Sequence, residues 1–372
     1  MGMYDEPARI LRPEIEPGRR VLVISDIHAN LPYFHGLLEK VGFCGDDLLI
    51  LDGDFLEKGA ESLKTLREIM ALCERGNVLP IMGNCDDWAA LFREDSPWSR
   101  NLPRYLRFRK CGLLWDMALE LGLDPLELPE FGQFKRMLAS RFEAEFAFLD
   151  ALPHAVEAGR YVFAHAAVYP DRPLEAHRVG ELVRCEAFYR LGFSFDKWVV
   201  VGHYPVMLYC RDIVCANPIL DRARHIASID GACVLKDDGQ LNCLIIPDIT
   251  GEELGFQAYD PFPLRRVLSD QAASPRSAYI RWGDSRVQVL ERGEEFSRCR
   301  HVRTGYELEI LTKYLFSDGE FTDCNDCTDY VLPLRAGDTV GVVEECSRGY
   351  FVKHEGVSGW YFGALGEVED NA

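Results

Sequence analysis

Three short apolar runs in the first quarter of the chain each end on residues able to bind hard metal ions. Residues 21–25 end on Asp26-Ile27-His28, residues 48–51 lead to Gly53-Asp54, and residues 78–82 lead to Gly83-Asn84. Two later runs repeat the design, 161–164 before His165 and 198–201 before Gly202-His203. Carboxylate, carboxamide and imidazole groups gathered in one place suit ions such as manganese, iron or zinc. Two such ions about 3.5 to 4 Å apart supply a nucleophile at neutral pH and neutralise charge on phosphoryl oxygens, which is the chemistry of phosphoester hydrolysis. A site of that kind needs one carboxylate shared by both ions, and Asp54 is the candidate. Taken singly, His165 or His203 reads as an ordinary core histidine, and only the set points to metal. His35, His154, His177, His225, His301 and His354 lack such context and read as surface or packing residues.

The runs that carry these residues are short and mostly apolar, as expected of strands buried on both faces. Helical periodicity lies between them, clearest in Leu63, Leu66, Met70 and Cys73 before Gly76. Strand and helix alternate, so the polar strand ends should share one edge, where ligands bind in open α/β sheets. Residues 87–153 interrupt the alternation with a mostly helical insert, in which Phe134, Leu138, Phe142, Phe146 and Leu149 form a core-facing stripe. The pattern loosens through Pro247, Pro261, Pro263 and Pro275. The expected organisation is a catalytic domain over 1–255, a connecting region over 256–276, and a small all-β domain over 277–372.

In order and spacing these blocks resemble the calcineurin-like metallophosphoesterase superfamily, over about residues 20–247. The segments 163–167, 201–206 and 229–233 look like its bacterial phosphoprotein-phosphatase-like branch, which includes Ser/Thr phosphatases and dinucleoside tetraphosphatases. The resemblance implies a sandwich of mixed β-sheets flanked by helices. It also implies two divalent or mixed-valence metal ions, one held by Asp26, His28 and Asp54, the other by Asp54, Asn84, His165 and His203. A metal-bridging hydroxide would attack phosphorus, with Lys58 or Arg184 steadying the oxyanions. Many superfamily members have Gly-His-x-His where this chain has Pro205 in place of the second His, and that difference points to the branch. The chain departs from the branch itself in three places. Ala29 follows His28 where Gly is usual. Lys58 stands where the branch has Arg, exchanging a forked guanidinium for a point charge. Cys85 stands where the branch has the His thought to protonate the leaving group, a role worth about 10² to 10⁴-fold. Slow turnover on poor leaving groups is therefore expected, and a catalytically weak metal-dependent binding or regulatory protein is the alternative. The segment from Leu334 to Tyr361 resembles bacterial Src-homology-3-like domains. Tyr350, Trp360, Tyr361 and Phe362 there would either bind a peptide or the catalytic domain, or simply pack.

The chain has 372 residues and a formal charge of −19, which argues against a nucleic-acid duplex as ligand. A phosphorylated protein or nucleotide is the expected substrate. No apolar stretch suits a signal peptide or a membrane span, and thirteen cysteines without a disulfide framework fit a reducing, cytoplasmic setting. Cys324-Asn325-Asp326-Cys327 has the spacing of half a zinc knuckle that Cys299 and His301 would complete, though the bland reading is a turn.

Overall fold

A computed structural model describes residues 3–93, 96–317 and 322–368. The chain forms two compact units: residues 1–205, 218–235 and 239–260 make the first, and 206–217, 236–238 and 261–372 the second.

In the first unit, β2 (Val21–Ile24), β3 (Leu48–Asp52) and β4 (Val78–Ile81) run parallel, with Val21 beside Leu48 and Leu49 beside Val78. β4 is the sheet's edge, which is where Pro80 costs no ladder bond. Leu241–Ile246 pairs antiparallel on the other side of β2, and Gly255–Tyr259 closes that side. A second sheet contains β1 (Ile10–Leu11), β5 (Ala155–Ala158), β6 (Tyr161–Phe163) and β7 (Trp198–Val201), followed by Ile226–Ser228 and Ile219–Asp221. The five ligand-bearing strands therefore belong to two sheets, not one.

Alternation along each strand explains the layering. Val21, Val23, Leu48 and Ile50 pack with Tyr161, Phe163, Trp198 and Val200 in one core, so the two sheets lie face to face. The alternate residues, Leu22, Ile24, Leu49 and Leu51 on one sheet and Val199 and Val201 on the other, face the helices. Helix α1 (Leu31–Val41) buries Leu31, Phe34, Leu37 and Val41 and stops at Gly42, whose φ of 61° suits a left-handed cap. Helix α2 (Ser62–Cys73) buries Leu63, Leu66, Ile69 and Leu72, leaving Met70 and Cys73 half-buried. The insert is helical, with α3 (Trp98–Arg109), α4 (Leu113–Glu120), α5 (Phe131–Arg141) and α6 (Glu143–Ala151). Its expected stripe is buried as read, but Phe142 ends α5 and opens α6 at φ −124°, so two helices share the stripe.

The second unit is all antiparallel β. Thr339–Cys346, Gly349–His354 and Val357–Tyr361 form a meander flanked by Leu264–Val267 and, from far earlier in the chain, Val214–Cys215. Val267, Tyr330, Leu332, Val340, Val352 and Tyr361 fill its core. A separate sheet of Arg286–Glu291, Phe296–His301 and Glu307–Leu311, with two short strands, packs around Ile280, Val287, Cys299 and Ile310. Part of the expected connector is strand: Gly255–Tyr259 pairs within the first unit and Leu264–Val267 within the second. Tyr361 is buried and cannot join a surface aromatic patch, whereas Phe362 is 52% exposed. No helix among the described residues is long and apolar enough to cross a membrane.

Candidate metal centre

Each ligand candidate sits on the loop that follows its strand, and local backbone geometry aims it. Asp26, His28, Asp54 and His203 adopt φ of 55°, 50°, 50° and 66°, left-handed values that L-residues avoid at a cost of about 1 to 3 kcal/mol each. Surrounding hydrogen bonds hold them there. The Asp26 and His28 N–H groups donate to the Gly53 and Asp54 carbonyls at 3.0 Å each, extending the β2–β3 ladder into the loops. The His203 N–H donates to Asp26 Oδ2 at 2.9 Å and the Cys85 N–H to Asp54 Oδ1 at 2.8 Å, so the two sheets' loops are stitched through the carboxylates themselves. Gly83 and Gly202 are required by close approach: a Cβ there would lie 2.2 Å from the Asp54 N and 2.3 Å from Asp26 Oδ2.

The imidazoles are set as ligands. His165 Nδ1 is 2.9 Å from the Asp52 carbonyl, which only accepts, so Nδ1 carries the proton and Nε2 offers its lone pair. Nε2 lies 3.2 Å from Asp54 Oδ1 and 3.3 Å from Asn84 Oδ1. The ligand atoms of Asp54, His165 and His203 fall within 4.8 Å of one another. On the other side of Asp54, the ligand atoms of His28, Asp54 and Cys85 do the same. His28 Nδ1 faces the Leu56 carbonyl at 3.3 Å, and Nε2 is 3.6 Å from Asp26 Oδ1, a buried oxygen with no hydrogen-bond partner. An orphaned buried carboxylate oxygen beside an imidazole nitrogen is what a divalent ion satisfies, so the donor set fits the expected metals.

Burial, then the positive charge of Lys58, push His28 down to about 3, and burial with the neighbouring His165 does the same for His203. Both are neutral, the form that binds metal. Burial opposes ionisation of Asp54, but the groups clustered around it outweigh that and keep Asp54 below the usual carboxylate range. Asp26 is pushed up by burial and by the charge of Asp54.

The remaining predicted residues sit around this centre. Lys58 Nζ is 3.1 Å from His28 Nε2. Cys85 lies within the ligand cluster, closer in than a leaving-group position beside the site implied, and burial with Asp54 pushes its thiol well up. Arg184 stacks 4.0 Å over the Tyr4 ring and donates to its hydroxyl. Both residues line a cavity of about 450 Å³ that Asn84, Trp88, Trp98 and Tyr105 also border. Sequence reading assigned no role to Asp86, whose carboxylate accepts the N–H groups of Asp54, Gly83 and Leu56 at 2.7, 2.9 and 3.1 Å. Nor did it assign one to Asp230, whose Oδ2 is buried without a partner. Their only signal was an acid within a recognised block. The zinc-knuckle grouping does not form: His301 turns its ring nitrogens to Thr304 Oγ1 and the Asp284 carbonyl at 2.9 and 3.0 Å. Among the described residues the only groups that close to metal-binding distance are the two around Asp54.

Residues 19–207 match the calcineurin-like phosphoesterase family. The chain belongs to that family. As such it is a metal-dependent phosphoesterase. Among curated proteins none matches it. A solved structure named for diadenosine tetraphosphatase activity is similar at 19% identity and TM-score 0.45, covering 68% of this chain and 99% of its own. A metallophosphoesterase from Sphaerobacter thermophilus is similar at 18% identity and TM-score 0.36, over 65% of this chain and 89% of its own. A protein serine/threonine phosphatase from Saccharomyces cerevisiae is similar at 11% identity and TM-score 0.41, over 69% and 85%. The family match stops at residue 207, one residue after the chain passes from the first unit into the second, and it spans all six ligand candidates.

Proposed function

We propose that the chain hydrolyses a phosphomonoester or phosphoanhydride at a dinuclear centre bridged by Asp54. Asp26 and His28 would hold one ion, and Asn84, His165 and His203 the other. When bound, such a pair supplies Lewis acidity and a water-derived nucleophile at neutral pH. The observation that carries the reading is the place of Asp54, whose carboxylate belongs to both clusters of ligand atoms. Arg184, from the cavity wall, and Lys58, from beside His28, are the cations proposed to meet phosphoryl oxygens. Cys85 keeps its proton firmly and is a poor donor to a leaving group, so esters of good leaving groups should turn over fastest. A phosphorylated protein or nucleotide in the cytoplasm is the substrate class proposed. The last part of the second unit, read as Src-homology-3-like, is proposed as a peptide-contact module.

The test is hydrolysis of p-nitrophenyl phosphate by protein reconstituted with manganese. Turnover should appear with metal, vanish with chelator, and fall by about 10²-fold or more in Asp54→Asn, which loses the bridging charge. Metal bound in full without turnover would favour the alternative, a metal-dependent binding protein, for which the protonated Cys85 in place of an imidazole acid is the motivating observation.

A further inference from the structure

The residue in this centre that is no metal ligand stands where a metal would. Lys58 Nζ is 3.1 Å from His28 Nε2, the lone pair left free because Nδ1 faces the Leu56 carbonyl. An ammonium only donates, so the contact is an N–H directed into the lone pair that an ion would take. The placement is built into the backbone. Glu57 and Lys58 adopt φ of 66° and 65°, and the Glu57 carboxylate is tied to the insert by the Leu113 N–H at 2.7 Å and the Tyr105 hydroxyl. Among the described residues no Lys or Arg hydrogen-bonds His165 or His203, so the second position has no such occupant. Pro205, two residues after His203, has no side-chain ligand atom.

We infer that the Lys58 ammonium stands in for the first metal ion in the metal-free protein, so that the two positions fill in order, the one made by Asn84, His165 and His203 first. The inference rests on the two-metal reading above. The first position then accepts an ion only when the lysine side chain swings out, and like charge at contact range opposes that entry. The ammonium keeps buried Asp26 and Asp54 compensated until the ion arrives.

The experiment is titration of metal-free full-length protein with Mn²⁺, followed by calorimetry and by electron paramagnetic resonance. Wild type should bind one ion tightly, giving an uncoupled manganese signal at one equivalent, and a second about 10²-fold more weakly. In Lys58→Met the second ion should tighten by about tenfold or more while the first is unchanged, and Lys58→Arg should keep the gap. Lys58→Gln, with folding checked by circular dichroism, serves if the methionine variant is unstable. Two equally tight ions in wild type, or the same gap in the uncharged variants, would overturn the inference and leave the two-metal reading standing. Only one ion bound by wild type and variants alike, at any concentration, would overturn both.

Discussion

Four of the six ligand candidates hold left-handed backbone, and the four lie on three different loops. Strain of that kind persists only where neighbours over-determine it, and for Asp54 that neighbour is Asp86. One buried carboxylate accepts three N–H groups from the two loops that present Asp54 and Asn84. Asp86→Ala would leave all three donors unpaired in a dry site, at about 1 to 3 kcal/mol for each group that water cannot reach. We expect the denaturation midpoint of the first unit to fall clearly. Manganese affinity should fall about 10 to 100-fold, the usual effect of losing a residue that orients a ligand. Asp86→Asn, which keeps an acceptor oxygen, should lose less of both. Equal loss in Asn and Ala would mean that charge, not hydrogen bonding, is what Asp86 supplies. None of this was legible in the sequence, because a carboxylate that binds backbone and one that binds metal look alike as letters.

At the scale of elements, the ligand-bearing strands were legible because each is a short apolar run bounded by polar residues. Their division between two sheets was not, since parity along 21–24 or 198–201 separates two buried faces without saying what covers either. The strand Gly255–Tyr259 was hidden by nearby prolines, and the break at Phe142 by a periodicity that continues across it. The short strand β1 was also unread. It pairs Ile10 with Ala155, and the Arg9 N–H before it donates to His154 Nδ1 at 2.8 Å. Burial and then Arg9 push His154 down to about 4, from an unfolded value of 6.5. Its folded pKa lies below its unfolded one, so this contribution is fully present above pH 6.5 and is lost as pH falls through about 4. The loss should approach about 3 kcal/mol, at roughly 1.36 kcal/mol per unit. Urea denaturation of wild type and His154→Gln between pH 7 and 4 checks it. The variant, whose amide oxygen still accepts the Arg9 N–H, should show a shallower fall, and parallel curves would show that His154 does not titrate in this window.

At the scale of the whole molecule, the sequence suggests a catalytic domain over 1–255 and a small β domain over 277–372 with one connection between them. The second unit also takes residues 206–217 and 236–238, with Val214–Cys215 paired to Val357–Ser358. A composition shift marks where a chain loosens, whereas a two-residue strand leaves no periodicity to read. A chain ending at residue 260 would therefore strip Val206, Met207, Leu208 and Val214 of the unit that buries them. It should bind a hydrophobic dye and aggregate more than the full chain, and a monodisperse truncated protein with full metal content would contradict this. All six ligand candidates nonetheless lie within the first unit. The most direct measurement is anomalous diffraction at the manganese edge from crystals of the full chain soaked in excess Mn²⁺. Two peaks about 3.5 to 4 Å apart are expected on either side of the Asp54 carboxylate. One should sit against His165 and His203, the other against Asp26 Oδ1 and His28 Nε2. A single peak at saturation, or two peaks that do not share Asp54, would contradict the two-metal reading.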